Sequence, residues 1–232
     1  MHLVYAPEIH SSNHVLDKEE SFHVIKVLRQ RIDDKLMLFD GKGNFYSAVI
    51  TYNDPKACAV KILETHKEKE RNFSIHIAIA PTKNMERFEW FVEKAVEIGI
   101  DEITPLICAH SERKVMRMDR VEKIVIAAIK QSIKATLPKL NAPISFKDFM
   151  KLNFTAQKFI ANCEVDASIH LQTKYVRGNA AVLLIGPEGD FSPQEITDAT
   201  LAGYESISLG TSRLRTETAG IVACHAINLL NE

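Results

Sequence analysis

Much that would have classified this chain at a glance is missing from it. None of its 232 residues falls in an apolar run approaching the roughly 18 residues of a membrane span. Met1-His2-Leu3-Val4-Tyr5 lacks a charged stretch leading into an apolar core, so no secretory signal is expected. Cysteine is sparse: Cys58, Cys108, Cys163 and Cys224 never form C-x-x-C, which excludes a zinc ribbon and leads us to expect four buried thiols in a reducing compartment. His23, His76, His110 and His225 form no H-x-x-x-H pair among themselves and read as surface or satisfied core residues, so no metal is expected. No G-x-G-x-x-G follows a strand, no G-x-x-x-x-G-K-[ST] occurs and no G-x-S-x-G elbow is present. Dinucleotide, P-loop and serine-hydrolase readings therefore have no support. Net charge is −1, so a nucleic-acid partner would need a local basic surface. There is no internal repeat and no low-complexity tract.

What remains is ordinary globular composition, 46% hydrophobic and 25% charged, enough for one large domain or two modest ones. Residues 1–70 read as β-rich. Asp17 to Arg29 is the exception, a helix opened by a capping-box spacing of Asp17 and Glu20. Strands are expected at Lys35 to Asp40, Phe45 to Tyr52 and Ala57 to Leu63, joined by turns at Asp40-Gly41-Lys42-Gly43-Asn44 and Asn53-Asp54-Pro55. They suggest a small barrel or curled sheet. His66 to Asn72 is charged and reads as a linker.

Beyond it, strand and helix alternate. Strands are expected at Ser74 to Ala80, Glu102 to Ile107, Lys158 to Cys163, Ala180 to Ile185 and Ser206 to Leu209. Helices are expected at Met85 to Ile98 with Gly99 as stop, Asp119 to Leu137, Pro193 to about Gly203, and Thr216 to Leu230. The pattern implies a parallel sheet covered on both faces in an α/β domain at 71–232.

Two loops carry candidate chemistry. Gly186-Pro187-Glu188-Gly189 follows a buried strand and leads to Ser192-Pro193-Gln194-Glu195, a capping box with proline at the first helical position. Leu209-Gly210 with Arg213, Arg215, Thr216 and Glu217 again follows a strand and opens a helix, with Thr216 as the expected N-cap. In an open α/β sheet such loops hold ligands. A pair of capped turns with solvated arginines is the plainer alternative.

These two loops strongly resemble the SPOUT class of RNA methyltransferases, and more narrowly the bacterial 16S ribosomal RNA uridine-N3 methyltransferase family. Further matches run along the chain: His23 with Val27-Leu28-Arg29, Asp40-Gly41-Lys42-Gly43, then Lys83, Glu89, Lys94, Glu97 and Gly99, then Ser111-Glu112-Arg113, Gln131-Ser132 and Leu137-Pro138. The resemblance implies a PUA-like β-barrel at 1–70, a SPOUT domain at 71–232 with a C-terminal trefoil knot, a homodimer, and a cytoplasmic enzyme acting on 16S rRNA in the small ribosomal subunit near its decoding centre. It implies S-adenosyl-L-methionine as methyl donor, held by Leu184, Gly186, Pro187, Gly189, Leu209, Gly210, Leu214 and Thr218. Arg215, Thr216 and Glu217 are the implied catalytic group. Arg215 would stabilise an anionic base, while Glu217 would be a general base or would hold Arg215 or the helix start. Arg29, Arg31, Arg113, Lys114 and Arg117 are the candidate RNA contacts, with Lys130, Lys134 and Lys139 nearby in sequence. Glu188 either orients the turn or meets a nucleobase. The chain departs from the family pattern at Ser212, Lys130, Lys134 and Asp190, which stand where arginine, glutamate, arginine and glycine are expected. Rival readings are a related enzyme for another RNA, or a non-catalytic ribosome-assembly factor.

Overall fold

The computed structural model describes residues 3–163 and 165–232. The chain divides into two compact units, residues 1–70 with 126–137, and residues 71–125 with 138–232.

In the first unit the strands are β1 (Leu3–Tyr5), β2 (Asn13–Val15), β3 (Lys35–Phe39), β4 (Asn44–Tyr52) and β5 (Ala59–Lys67). They form one sheet in the order β1-β3-β4-β5-β2, parallel only between β1 and β3. Register shifts between Ser47 and Ala48 and between Ile50 and Tyr52 bend the long β4–β5 ribbon, as an extra residue on one strand does. Val4, Leu16, Val24, Leu36, Leu38, Ile50 and Val60 fill the core of this curled sheet. The Asp40 turn forms as read: Asp40 Oδ1 accepts the backbone N–H of Lys42 and of Asn44 at 2.7 and 3.1 Å. β5 runs on to Lys67 and pairs His66 with Phe45, so the expected linker begins later than its composition suggests.

The helix expected over Asp17 to Arg29 is shorter and changes type. α1 spans Lys18–Phe22, and a π-helical turn follows at His23–Val27. Asp17 caps it through the N–H of Glu20 at 2.8 Å. Glu20 does not complete the box. Its carboxylate is buried and is met by the ammonium of Lys130, and burial pushes the Glu20 carboxyl pKa up against the lowering by that cation. A lysine at 130 therefore has a local structural partner.

The second unit begins with β6 (Ile75–Ile79), α2 (Met85–Ile98) and β7 (Glu102–Ile107). Then come α3 (Met118–Ser132), whose residues from Ile126 on belong to the first unit, β8 (Lys139–Leu140), β9 (Ile144–Ser145), α4 (Phe146–Phe149), β10 (Gln157–Ala161), α5 (Leu171–Lys174) and β11 (Ala181–Ile185). It closes with α6 (Pro193–Leu201), β12 (Glu205–Ile207) and α7 (Thr216–Asn231). The strand order is β12-β10-β11-β6-β7-β8, with β9 also on β7, and every pairing is parallel. β6 and β11 are buried at every position, as expected of central strands covered on both faces. On one face Ala78, Ile160, Val182 and Leu184 pack with Phe146, Phe149, Phe191, Ala199 and Tyr204. Each large side chain there contributes roughly 1.5–3 kcal/mol of transfer free energy. The other face receives α7, whose Gly220 lies against Phe91 of α2 and Ile79 of β6.

Two expectations change in this unit. α3 ends at Ser132, not Leu137, because Ile133 takes a left-handed φ of 54°. Cys163 is exposed, whereas Cys58, Cys108 and Cys224 are buried. His76 is a satisfied core histidine, with Nε2 2.7 Å from Thr104 Oγ1.

Candidate active site

Parallel strands place their carboxyl ends along one edge, and three neighbours, β12, β10 and β11, end together there. The loops that follow them enclose a cavity of about 710 Å³. The Gly186-Pro187-Glu188 turn forms one wall and residues 208–216 another. The third wall is Asn162, Cys163, Val165 and Ala167, following β10. That third wall was missed in the sequence. The signal was available, since β10 is the strand between the two loops already singled out, but no glycine or cap marks it.

The two glycine-bearing loops are joined directly. Thr216 Oγ1 donates to the Gly186 carbonyl at 3.0 Å. Thr216 is therefore not the N-cap of α7; Arg215 takes that place with extended φ, and no side chain caps the helix. Thr216 is buried as the first helical residue and serves as a clasp between walls. The capping box of α6 forms as read, with Ser192 Oγ accepting from Glu195 N–H and Glu195 Oε2 accepting from Ser192 N–H at 2.9 Å. Glu195 Oε1 also accepts from the N–H of Ala109 at 2.8 Å, tying the end of β7 to this loop.

Gly210 has a φ of 131°, strained for any side chain, and the space beside it is open. A Cβ at Gly186 would meet the Phe191 ring at 3.1 Å. Asp190 stands in the left-handed region at φ 61°, where aspartate is tolerated better than most residues. Its Oδ1 accepts from Phe191 N–H at 2.8 Å and its Oδ2 from Cys163 N–H at 3.3 Å. Aspartate thereby keeps the turn that glycine would make and ties it to the third wall. His110 Nδ1 lies 3.1 and 3.0 Å from the carbonyls of Gly189 and Asp190. Carbonyls only accept, so this ring nitrogen carries the proton.

Of the expected donor-site residues, Gly186, Pro187, Leu209, Gly210 and Leu214 line the cavity. Leu184 does not: its side chain is fully buried in the core beside Phe191 and Ala199, because strand alternation turns it to the opposite sheet face from Ile185, which lines the cavity. Gly189 and Thr218 are not among the lining residues either. Arg215 lines the cavity and is exposed, and among the described residues its guanidinium has no ion pair or side-chain hydrogen bond. Glu217 is buried and faces away, with Oε1 3.9 Å from Arg87 Nε of α2 and Oε2 without a hydrogen-bond partner. Arg29 and Arg31 are exposed in the first unit. Arg113, Lys114 and Arg117 are exposed in the second, where Arg117 already pairs with Asp119 at 2.8 Å. His10 and His14 stand four apart, but a bend at Ser11 and Ser12 leads into β2 between them, so they do not share a helix face. Among the described residues there is no group of three His, Cys, Asp or Glu able to hold a metal ion.

Fold and cavity together define a class. Residues 69–228 match the model of the RNA methyltransferase domain, and residues 16–63 match that of the RNA methyltransferase PUA domain. A structure of ribosomal RNA small subunit methyltransferase E from Neisseria gonorrhoeae, bound to S-adenosyl methionine, superposes with a TM-score of 0.89 at 28% identity, covering 100% of this chain and 98% of that one. A methyltransferase from Legionella pneumophila in complex with SAM gives 0.90 at 29%, covering 99% and 97%. In sequence, ribosomal RNA small subunit methyltransferase E of Mesomycoplasma hyopneumoniae is 30% identical, covering 89% of this chain and 94% of the relative. The chain belongs to the ribosomal RNA small subunit methyltransferase E family.

Proposed function

We propose that this protein transfers a methyl group from S-adenosylmethionine to N3 of one uridine of 16S rRNA near the decoding centre, within the small ribosomal subunit in the bacterial cytoplasm. The observation that carries the reading is the slot itself: two glycine-bearing loops, far apart in sequence, clasped by Thr216 and Gly186 around about 710 Å³. That volume lies within the roughly 300–1,000 Å³ typical of small-molecule sites.

The residues present fit the donor. Leu209, Leu214, Ile185 and Ile207 offer apolar walls for an adenine face. Gly186 offers a backbone polar edge, the N–H and C=O of Gly210 are met by Ser208 Oγ at 3.1 and 3.0 Å, and Gly210 leaves room for close approach. When bound, S-adenosylmethionine supplies an electrophilic methyl group on a sulfonium. The chain's own part is alignment and charge. Holding the acceptor nitrogen in line contributes most through proximity. Uracil N3 carries a proton at neutral pH; that proton passes to water as the N3–methyl bond forms and the carbon–sulfur bond breaks to leave a neutral thioether, so the base becomes more anionic as it reacts. Arg215, exposed in the slot wall and unpaired among the described residues, is placed to stabilise that charge. Glu217 belongs to the helix start and Arg87, not to the proton transfer.

Residues 1–70 are assigned to the PUA-like RNA-binding part and 71–232 to methyl transfer. A C-terminal trefoil knot is part of this reading. It is supported by the return of the chain from edge strand β12 to α7, which packs on α2 and contacts the central strands β6 and β11. A homodimer is also part of it, supported by the largely apolar α7, which leaves Leu229 exposed.

Calorimetry with S-adenosylmethionine tests the slot, with one site per chain expected. Nucleoside mass spectrometry of 16S rRNA from cells lacking the protein tests the product, with 3-methyluridine expected to disappear. Retained 3-methyluridine, or no donor binding, overturns the assignment.

A further inference from the structure

Beside the donor slot lies a second, smaller cavity of about 320 Å³, lined by Lys83, Glu112, Arg113, Lys114 and Val115. One of these residues, Lys83, is held by its backbone from both sides. The backbone N–H of Lys83 donates to Glu188 Oε1 at 3.0 Å. The carbonyl of the same residue accepts from Arg113 Nε and Nη2 at 3.2 and 3.1 Å. Glu188 belongs to the Gly186-Pro187-Glu188-Gly189 turn that walls the donor slot. The turn, the β6–α2 connection and the loop after β7 are thereby linked through Lys83.

The charge of the lining is lopsided, with three cations and Glu112 as the sole acid. Lys83 Nζ meets Glu112 Oε2 at 2.8 Å, with both side chains largely in water, 73% and 58% exposed. Exposed pairs of this kind hold weakly and exchange readily for another anion. Lys114 is exposed beside them. Val115, at 81% exposure, offers an apolar face with nothing folded over it.

Building on the reading of the slot as a methyl-donor site, we propose that this cavity is a subsite for an RNA phosphodiester flanking the methylated nucleotide. Lys83 and Lys114 are the phosphate contacts. Glu112 occupies the Lys83 ammonium until the phosphate displaces it. Arg113 and Glu188 are positioning residues, since Arg113 Nε and Nη2 and Glu188 Oε1 bond the Lys83 backbone. The assignment differs from reading 113–117 as a uniformly basic grip: Arg113 acts through Lys83, and the acidic residue in the run competes with RNA.

The test uses the full-length protein and small ribosomal subunits lacking the modification, with KM for subunits measured across salt concentrations and donor affinity measured by calorimetry. Lys83→Gln is expected to raise KM for subunits about tenfold and to reduce the salt slope by about 0.7–0.9, one phosphate contact. Glu112→Gln is expected to lower KM at low salt, an effect opposite in sign to that of any folding defect. Glu188→Ala should raise KM for subunits, and Glu188→Gln, which keeps an acceptor for the Lys83 N–H, should restore it. Donor affinity should stay within about threefold for Lys83→Gln and Glu112→Gln. An unchanged KM and salt slope in Lys83→Gln, or a KM raised by Glu112→Gln, overturns the subsite. Failure of the wild-type protein to bind donor overturns the slot reading instead, so the two failures are distinct.

Discussion

Arg215 and Glu217 are two residues apart and carry opposite charge, yet the structure gives them opposite surroundings. Arg215 is in the slot wall and exposed. Glu217 is buried near Arg87. Removing a group that stabilises charge only in the transition state typically costs about 10²–10³ in rate. Arg215→Ala is therefore expected to lower kcat at least about 100-fold, with donor affinity within threefold and Tm nearly unchanged, because an exposed side chain contributes little to folding. Arg215→Lys should recover part of the rate. Single-turnover methyl transfer and calorimetry measure both; full turnover in Arg215→Ala would remove its role. Glu217→Gln should show the reverse pattern. A carboxylate in the first turn of a helix is worth about 0.3–1 kcal/mol through the dipole, and up to about 2 kcal/mol when partly buried. Its loss should lower Tm by a few degrees and leave kcat within threefold. A fall of 100-fold or more at unchanged Tm would restore Glu217 as the base.

At the scale of elements, the slot depends on α7 seating closely on the sheet. Gly220 makes that approach, since a Cβ there would lie 2.5 Å from the Phe91 ring and 2.9 Å from Ile79 Cδ1. Two effects oppose each other in Gly220→Ala. Alanine gains about 1 kcal/mol of helix propensity, while overpacking a filled core costs about 1–3 kcal/mol. Phe91 and Ile79 are fully buried, so neither can swing away and overpacking wins. Chemical denaturation should find Gly220→Ala less stable; a more stable variant would mean that α7 is loosely seated. The sequence showed such elements unevenly. Met85–Ile98 and Glu102–Ile107 were legible to the residue, because apolar periodicity and the Gly99 stop agree locally; the cap, Asn84, is supplied by the structure. The π turn at His23–Val27 and the end of α3 at Ser132 were not, because a hydrophobic pattern records which face is buried and not how the backbone winds. In the site, the Gly186 and Gly210 loops announced themselves through glycine and cap chemistry. The clasp from Thr216, the inward Leu184 and the wall after β10 did not, because each is decided by a partner 20 or more residues away or by strand alternation at the sheet edge.

For the molecule as a whole, net charge is −1, so long-range attraction to RNA is weak, and the proposed phosphate subsite relies on local cations. The same balance leaves the pH dependence of stability to individual buried groups. His76 is the clearest. It packs edge-on against both Phe149 and Phe154 and bonds to Thr104 Oγ1, and burial holds its pKa down at about 4, with Glu102 opposing the depression and Lys139 adding to it. In the unfolded chain the imidazole titrates near 6.5. Between those values the unfolded state binds a proton that the folded state refuses, so stability rises with pH across this window and is lost as pH falls from about 6.5 towards 4. The shift corresponds to at most about 3 kcal/mol, a large share of a typical domain's stability. Carboxylates held low in the fold, Asp40 and Glu102, act in the same direction at more acidic pH, below their unfolded values. Denaturant midpoints measured from pH 7.5 to 4.5 should therefore fall steeply below pH 6.5. His76→Asn should be less stable at pH 7.5, having lost buried ring contacts, yet show a flatter decline over that range. A variant that kept the full wild-type slope would place the titrating group elsewhere in the fold.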